Sequence, residues 1–304
     1  MIDARIRLRH LAAFLEISRR KSVSRAAEAL HLTQPAISKT LAELEDILGL
    51  ALMTRSRAGI ALTPAGEVFL HYAATSHAAL RQGIDAIAQT KMAASTPLAI
   101  GALPSVAARV IPGTVMRFRA ARPGAIPRIV TGPNGYLLDQ LRLGELDLVV
   151  GRLGSPEAMR GLSFAQLYSE RIAVVVRPGH PLIETPDIAR ITEFSVLLPE
   201  RGAAIRALAE RFLIANGIGE LPNRIETVAD AFGRAFTRQT DAVWIISNGV
   251  VALDLAEGAL VELPFDMGDT SGPVGLTLRT DAPDSPALRM FTTALREVTR
   301  ALQA

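Results

Sequence analysis

SVSRAAEALHLTQPAISKTLAELEDILG, residues 22–49, puts a proline just ahead of a serine and a lysine at the mouth of a helix. A helix of period 3.6 shows its core side at i, i+3, i+4 and i+7. Val23, Ala26, Ala27 and Leu30 form one such stripe, and Ile37, Leu41, Leu44 and Leu48 form another. Working back toward the amino terminus, Leu8, Leu11, Ala12 and Leu15 form a third. Only HLT separates the last two helices; Thr33 suits an N-cap, and Pro35 is tolerated in a first turn whose amides have no intrahelical partner. With Ala26 and Ala27 small enough to let the third helix cross the second, the segment predicts a helix-turn-helix. On the third helix Pro35, Ser38, Lys39 and Ala42 face away from the leucines, with Gln34 at the edge of that side. A small, polar front with one cation suits a major groove. There Gln34 can meet an adenine edge, Ser38 a base or phosphate, and Lys39 a guanine or phosphate. The alternative is a three-helix bundle whose polar face is merely solvated.

The next stretch, LALMTRSRAGIALTPAG, residues 50–66, has two short apolar segments around RSRAG. It reads as a hairpin wing that carries Arg55 and Arg57 to phosphates or a minor groove. Charge agrees: residues 1–60 hold ten Lys/Arg against six acids, while the remainder is near neutral and the whole chain is +3. A polyanion partner is therefore expected for the amino-terminal part alone. At 304 residues the chain is long enough for two domains. It has no cysteine, which excludes disulfides, thiolate metal sites and cysteine nucleophiles. No apolar run approaches the ~20 residues a bilayer requires, and the Arg-rich start lacks an apolar signal core, so a soluble, cytoplasmic protein is expected.

Residues 8–70, which contain AAEALHLTQPAISKTLAELEDILG and end in LTPAGEVFL, resemble the winged helix-turn-helix of LysR-type transcriptional regulators. The resemblance implies DNA reading by Gln34, Pro35, Ser38 and Lys39 with support from Ser24, Thr33 and Arg55. One departure stands out: the family commonly has Phe-Glu before the wing arginine, and here the pair is Met53-Thr54.

Thr63-Pro64 starts a further helix, with Glu67 complementing its positive end, that runs to about Lys91. Phe69, Ala73, Ser76, Leu80, Gly83 and Ile87 recur in it as a heptad seam. That seam is open to two readings, an amphipathic helix lying on the carboxy-terminal domain or a dimerising linker; the family resemblance implies the linker. AASTP, residues 93–97, reads as a hinge.

From Leu98 short apolar runs alternate with helical segments, which predicts βαβ units and parallel sheets in two sets connected twice, with a cleft between them. The fold expected is α+β and multidomain. A winged helix-turn-helix over 1–62 leads through a linker helix over 63–92 to an effector domain over 93–304. Subdomain I takes about 97–168 and 272–304, and subdomain II about 169–271. Ligands in open sheets bind beyond the carboxyl ends of strands, at helix amino termini. The strand ends offer Ser105, Asn134, Gly135, Arg152, Arg201 and Ser247, and the two arginines suit a carboxylate. The family resemblance implies a domain similar to periplasmic binding proteins that binds an inducer in its cleft. It implies hydroxyl, amide and cation ligands at Ser105, Asn134 and Arg152, whereas Arg201 rests on the strand-end argument alone.

Signals for other chemistry are few. GDTSGP, residues 268–273, is similar to a trypsin-like nucleophile loop, but Ser271 is shifted within it and no histidine stands in a suitable upstream context. His10, His31, His71, His77 and His180 lack metal-ligand spacing, and there is no phosphate-binding or dinucleotide fingerprint. No enzyme activity, cofactor or metal is expected. Segments such as GALPSV and IVTGPNGYLLDQLRLGELDLVVGRL resemble the branch of the LysR-type family that controls protocatechuate breakdown by the β-ketoadipate route. That resemblance implies a transcriptional activator responding to β-carboxy-cis,cis-muconate. Its expected partners are promoter DNA, the inducer, RNA polymerase and further copies of the chain as a dimer or tetramer. The alternatives are a sugar-responsive regulator of the same branch and, from another class, a solute-binding module with a helical extension.

Overall fold

The computed structural model describes residues 3, 5–56, 59–91, 97–282 and 285–302. It divides into two compact units, one built on the first four helices together with segments around 139–146 and 279–282, the other on the rest of the chain.

In the first unit, α1 (Leu8–Arg20), α2 (Val23–Ala29) and α3 (Gln34–Leu48) precede an antiparallel hairpin of β1 (Met53–Ser56) and β2 (Gly59–Leu62), and α4 (Pro64–Lys91) follows. Ser22 and Thr33 cap α2 and α3, each hydroxyl accepting from the amide three residues on, and Gly49 ends α3 at φ 68°, where a side chain is disfavoured. Ala13, Ile17, Ala26, Ala27 and Ile37 make one buried cluster. Phe14, Leu15, Leu44, Leu52, Ala73 and Ala74 belong to another. The stripe expected on α1 is met in part: Leu15 is buried and Leu11 packs against the core, whereas Leu8 is exposed and Ala13, Phe14 and Ile17 join the core contacts. Helix, hairpin and α4 are tied at one corner. Leu52 and Met53 donate their amides to Glu45 Oε1 at 2.7 and 3.1 Å, and a side chain at Gly66 would meet the Leu52 carbonyl at 1.9 Å.

The heptad seam on α4 is divided. Phe69 packs edge-on against Phe14, with ring centroids 5.1 Å apart, and Ala73 is buried, so the first part of the seam serves the core of its own chain. Leu80 and Ile84 are exposed farther along, as are Val68 and Tyr72 on another side of the helix. The side chain of Ile87 and the proposed hinge up to Thr96 lie outside the described residues.

The second unit holds two five-stranded sheets. β3 (Leu98–Ala102), α5 (Pro104–Arg109), α6 (Ile111–Ala121), β4 (Pro127–Thr131), α7 (Asn134–Arg142), β5 (Leu148–Arg152) and β6 (Leu162–Glu170) come first in the chain. β7 (Ile172–Val176), α8 (Pro181–Glu184), β8 (Val196–Leu198), α9 (Arg206–Ala215), β9 (Arg224–Glu226), α10 (Asp230–Gln239), β10 (Val243–Ser247), α11 (Asn248–Ala256) and β11 (Val261–Glu262) follow. β12 (Gly272–Arg279) and α12 (Pro286–Arg300) close the chain. The strand orders are β4-β3-β5-β12-β6 and β11-β7-β10-β8-β9.

The βαβ strands pair in parallel as expected, β3 with β4 and β5, and β8 with β9 and β10. The sheets as wholes are mixed rather than parallel, because β12 runs antiparallel to β5, and β7 antiparallel to β10 and β11. These are the strands next to the two passages between sheets, one at Arg171 and one just before Gly272. The passages are tied, since the Ile172 amide donates to Thr270 Oγ1 at 3.2 Å. Trp244 and the apolar runs of β7, β8 and β10 form the core of the second sheet. Among the described residues no helix is long and apolar enough to cross a membrane, and no group of His, Asp and Glu suits a metal ion.

Candidate functional site

Two surfaces carry the predicted functional residues. On the first unit, Ser24, Thr33, Gln34, Pro35, Ser38 and Lys39 are all exposed at the front of α2 and α3, while Ile37 between them is fully buried. The alternation follows from helix geometry: the residue that locks α3 into the core leaves its neighbours on the outer side. Thr33 Oγ1 accepts from the Ala36 amide at 3.4 Å, which fixes the start of the helix. Ser24 Oγ donates to Gln34 Oε1 at 3.1 Å, tying α2 to the first turn of α3. Arg55 lies on β1 opposite Ile60, and Arg57 lies outside the described residues. Behind this front Glu43 receives Arg9 at 3.0 Å and lies 3.4 Å from the buried His10, with its pKa lowered by His10 first and by Arg9 and Lys39 after it.

On the second unit, a cavity of about 200 Å³ opens at the carboxyl ends of strands from both sheets. Each strand delivers a residue and then a helix: β3 gives Ser105 in α5, β4 gives Thr131 and Asn134 before and in α7, β9 gives Thr227 and Asp230 before and in α10, and β10 gives Ser247 before α11. The walls are mostly apolar, with Leu103, Pro133, Pro199, Ile205, Ile246 and Val250 among them. Such a site, mainly apolar with a few convergent polar groups and several helix amino termini, suits a small organic ligand.

Three of the six predicted ligand positions, Ser105, Asn134 and Ser247, line this cavity, and three do not. Gly135 is exposed on α7 outside the lining. Arg201 lies in a separate open groove with Pro222, Arg224 and Glu226. Arg152 ends β5 but is buried behind the cavity. Its Nη2 donates to the Glu170 carbonyl at 3.0 Å and its own carbonyl accepts from Asn134 Nδ2 at 3.0 Å. The expectation that two arginines line the cleft is thus corrected: among the described residues no Lys or Arg lines the cavity, and Glu200 and Asp230 do. Burial pushes the Asp230 pKa up, with Arg234 acting the other way.

Sequence reasoning missed Glu170 because it missed β6 altogether. Its LSFAQLYSE run has Phe and Tyr suited to a strand but lies between segments that read more clearly.

Residues 8–67 match the model of the bacterial regulatory helix-turn-helix protein of the lysR family, and residues 93–300 match that of the LysR substrate binding domain. The chain belongs to the LysR family. LysR-family membership makes it a DNA-binding transcriptional regulator with an effector-binding domain, not an enzyme, whose partners are DNA and a small-molecule effector. It is similar to the transcriptional regulator PcaQ of Agrobacterium fabrum, 52% identical over 300 residues that cover 98% of this chain and 96% of that protein. It is 33% identical to the transcriptional regulator YdcI of Escherichia coli, over 98% of this chain and 97% of that one. The LysR fold also matches full-length OxyR of Pseudomonas aeruginosa with a TM-score of 0.65 at 23% identity, covering 98% of each chain.

Proposed function

We propose that the chain is the activator of an operon for aromatic-acid catabolism of the pca type, responding to β-carboxy-cis,cis-muconate or a closely similar small carboxylate. The observation that carries this reading is the 52% identity to PcaQ along 98% of the chain. The cavity supports a compact anion differently from what the arginines suggested: α7 and α11 begin at its wall, and the positive ends of their dipoles favour negative charge. Ser105, Asn134 and Ser247 add polar side chains at the same wall. The protein works in the cytoplasm without a cofactor, as a homodimer or homotetramer formed in part through α4.

A sugar-responsive regulator is the second reading, favoured by Glu200 and Asp230 in the lining, since carboxylates accept from sugar hydroxyls. Thermal shifts with β-carboxy-cis,cis-muconate, cis,cis-muconate, protocatechuate, galactose and arabinose test both readings. Stabilisation by β-carboxy-cis,cis-muconate upholds the first, and stabilisation by a sugar alone replaces it with the second. A gel shift with the DNA upstream of its own gene tests operator binding.

A further inference from the structure

Glu170 ends β6 at the first passage between the sheets, 3% exposed, and neither carboxylate oxygen has a hydrogen bond of good geometry. A carboxylate only accepts, and leaving one dry and unpaired is costly. Arg152 relieves it in part: Nη2 is spent on the Glu170 carbonyl and stands 3.9 Å from Oε2. The other groups able to help are the hydroxyls of Ser105 and Ser247, which lower the Glu170 pKa and whose residues line the cavity. Glu170 and Ser105 are crowded together, and Ser247 pairs across the sheet with Ile172, two residues beyond Glu170. A methyl group at Gly249 would sit 2.3 Å from Glu170 Oε1 and 3.1 Å from Ser105 Cβ. Each hydroxyl has one proton to give, either to Glu170 behind it or to a ligand in front of it.

We propose that Glu170 is a positioning residue of the effector cavity: a carboxylate effector seated on Ser105 and Ser247 takes their hydroxyl protons from Glu170, and Glu170 takes up a proton as the effector binds. This rests on the carboxylate reading above. The charged and titratable groups facing Glu170 are Arg152 from β5, Arg109 from α5 and Tyr168 on its own strand. Burial is the largest influence and raises its pKa, while Ser105, Arg152, Arg109 and Ser247 oppose it. An anion on the serines withdraws two of those opposing influences and adds a like charge nearby, so both changes favour the protonated acid. By linkage, binding that takes up one proton strengthens up to about tenfold for each unit fall in pH.

Calorimetric titration of the full-length protein with β-carboxy-cis,cis-muconate, in two buffers of different ionisation enthalpy and between about pH 6.5 and about pH 8, counts the protons. The expected result is uptake approaching one proton in the wild type, with affinity rising as pH falls. Glu170→Gln, neutral and nearly the same shape, should bind at least as tightly near neutral pH with neither uptake nor pH dependence. Ser105→Ala, which leaves the acid in place but removes one shared proton, should bind more weakly with reduced uptake, and it serves if the glutamine variant does not fold. Effector binding with no proton uptake in the wild type, or with the same uptake in wild type and Glu170→Gln, overturns this inference while leaving the carboxylate reading intact. No binding of the carboxylate to the wild type overturns both.

Discussion

Ser24 Oγ donates to Gln34 Oε1 at 3.1 Å, which orients the Gln34 amide at the exposed front of α3. The amide oxygen has a second lone pair, so with the Ser24 bond kept a bidentate contact of Gln34 to adenine remains the expected reading. Gln34→Ala should lose about 1–3 kcal/mol for the operator while sparing random DNA. Ser24→Ala should lose discrimination at the same base pair and little elsewhere. Arg55→Ala on the wing should weaken all sequences alike and flatten the salt dependence by about one unit. Fluorescence anisotropy on operator and scrambled duplexes across a salt series checks all three; equal losses on both duplexes for Gln34→Ala would remove it from base reading.

The divided seam of α4 makes a second set of expectations. Phe69 is committed to Phe14 in its own chain, whereas Leu80 and Ile84 are exposed. Leu80→Asp or Ile84→Asp should therefore put a charge into an interchain contact and yield monomers that bind a paired half-site poorly. Phe69→Ala should instead cost up to about 3 kcal/mol of stability in the first unit, since Phe69 is partly buried. Light scattering and denaturant unfolding separate the two effects; unchanged mass for both aspartate variants would place the interface elsewhere.

The helix-turn-helix was legible in the sequence because its determinants are local: a cap at Thr33, a proline at the first turn of α3, a glycine at its end and an apolar period. The parallel βαβ units were legible for the same reason, each being a short apolar run followed by a helix. What escaped depends on residues far apart in the chain. Position relative to a strand end suggested that Arg152 and Arg201 would meet a ligand, yet Arg152 turns back to Glu170, eighteen residues on, and Arg201 joins Arg224 and Glu226 in another groove. Phe69 fits a heptad as well as a core position, and only its partner Phe14 decides between them. The antiparallel strands β7 and β12 carry no mark in their composition of the direction in which they enter a sheet.

Glu170 also makes stability depend on pH. Its folded pKa is raised, chiefly by burial, so its favourable contribution is complete below the ordinary glutamate value and is lost as pH rises through the folded one. Asp230, raised by burial as well, acts in the same direction. The effector-free protein should accordingly be destabilised as pH rises through this range, and Glu170→Gln should be more stable than wild type at neutral pH with a shallower dependence. Urea unfolding followed by the fluorescence of Trp244, the single tryptophan, which lies in the core of the second sheet, reports this unit. A glutamine variant less stable than wild type at every pH would mean that the ionised carboxylate is needed to hold Arg152.

The cavity residues and the displaced arginine give opposite expectations for the effector. Saturation at about 100 times the dissociation constant adds roughly 2.7 kcal/mol of stability to any protein whose folded state alone binds the ligand. Ser247→Ala and Asn134→Ala remove groups that line the cavity, and each should reduce the thermal shift produced by β-carboxy-cis,cis-muconate. Arg201→Ala should leave it unchanged, because that side chain lies in a separate groove. Arg152→Ala should lower the melting temperature without any ligand, since it strands a buried carboxylate. The discriminating measurement is the ligand-induced shift relative to each variant's own ligand-free value. A shift abolished by Arg201→Ala and retained in Ser247→Ala would move the effector site to the groove beside Arg224.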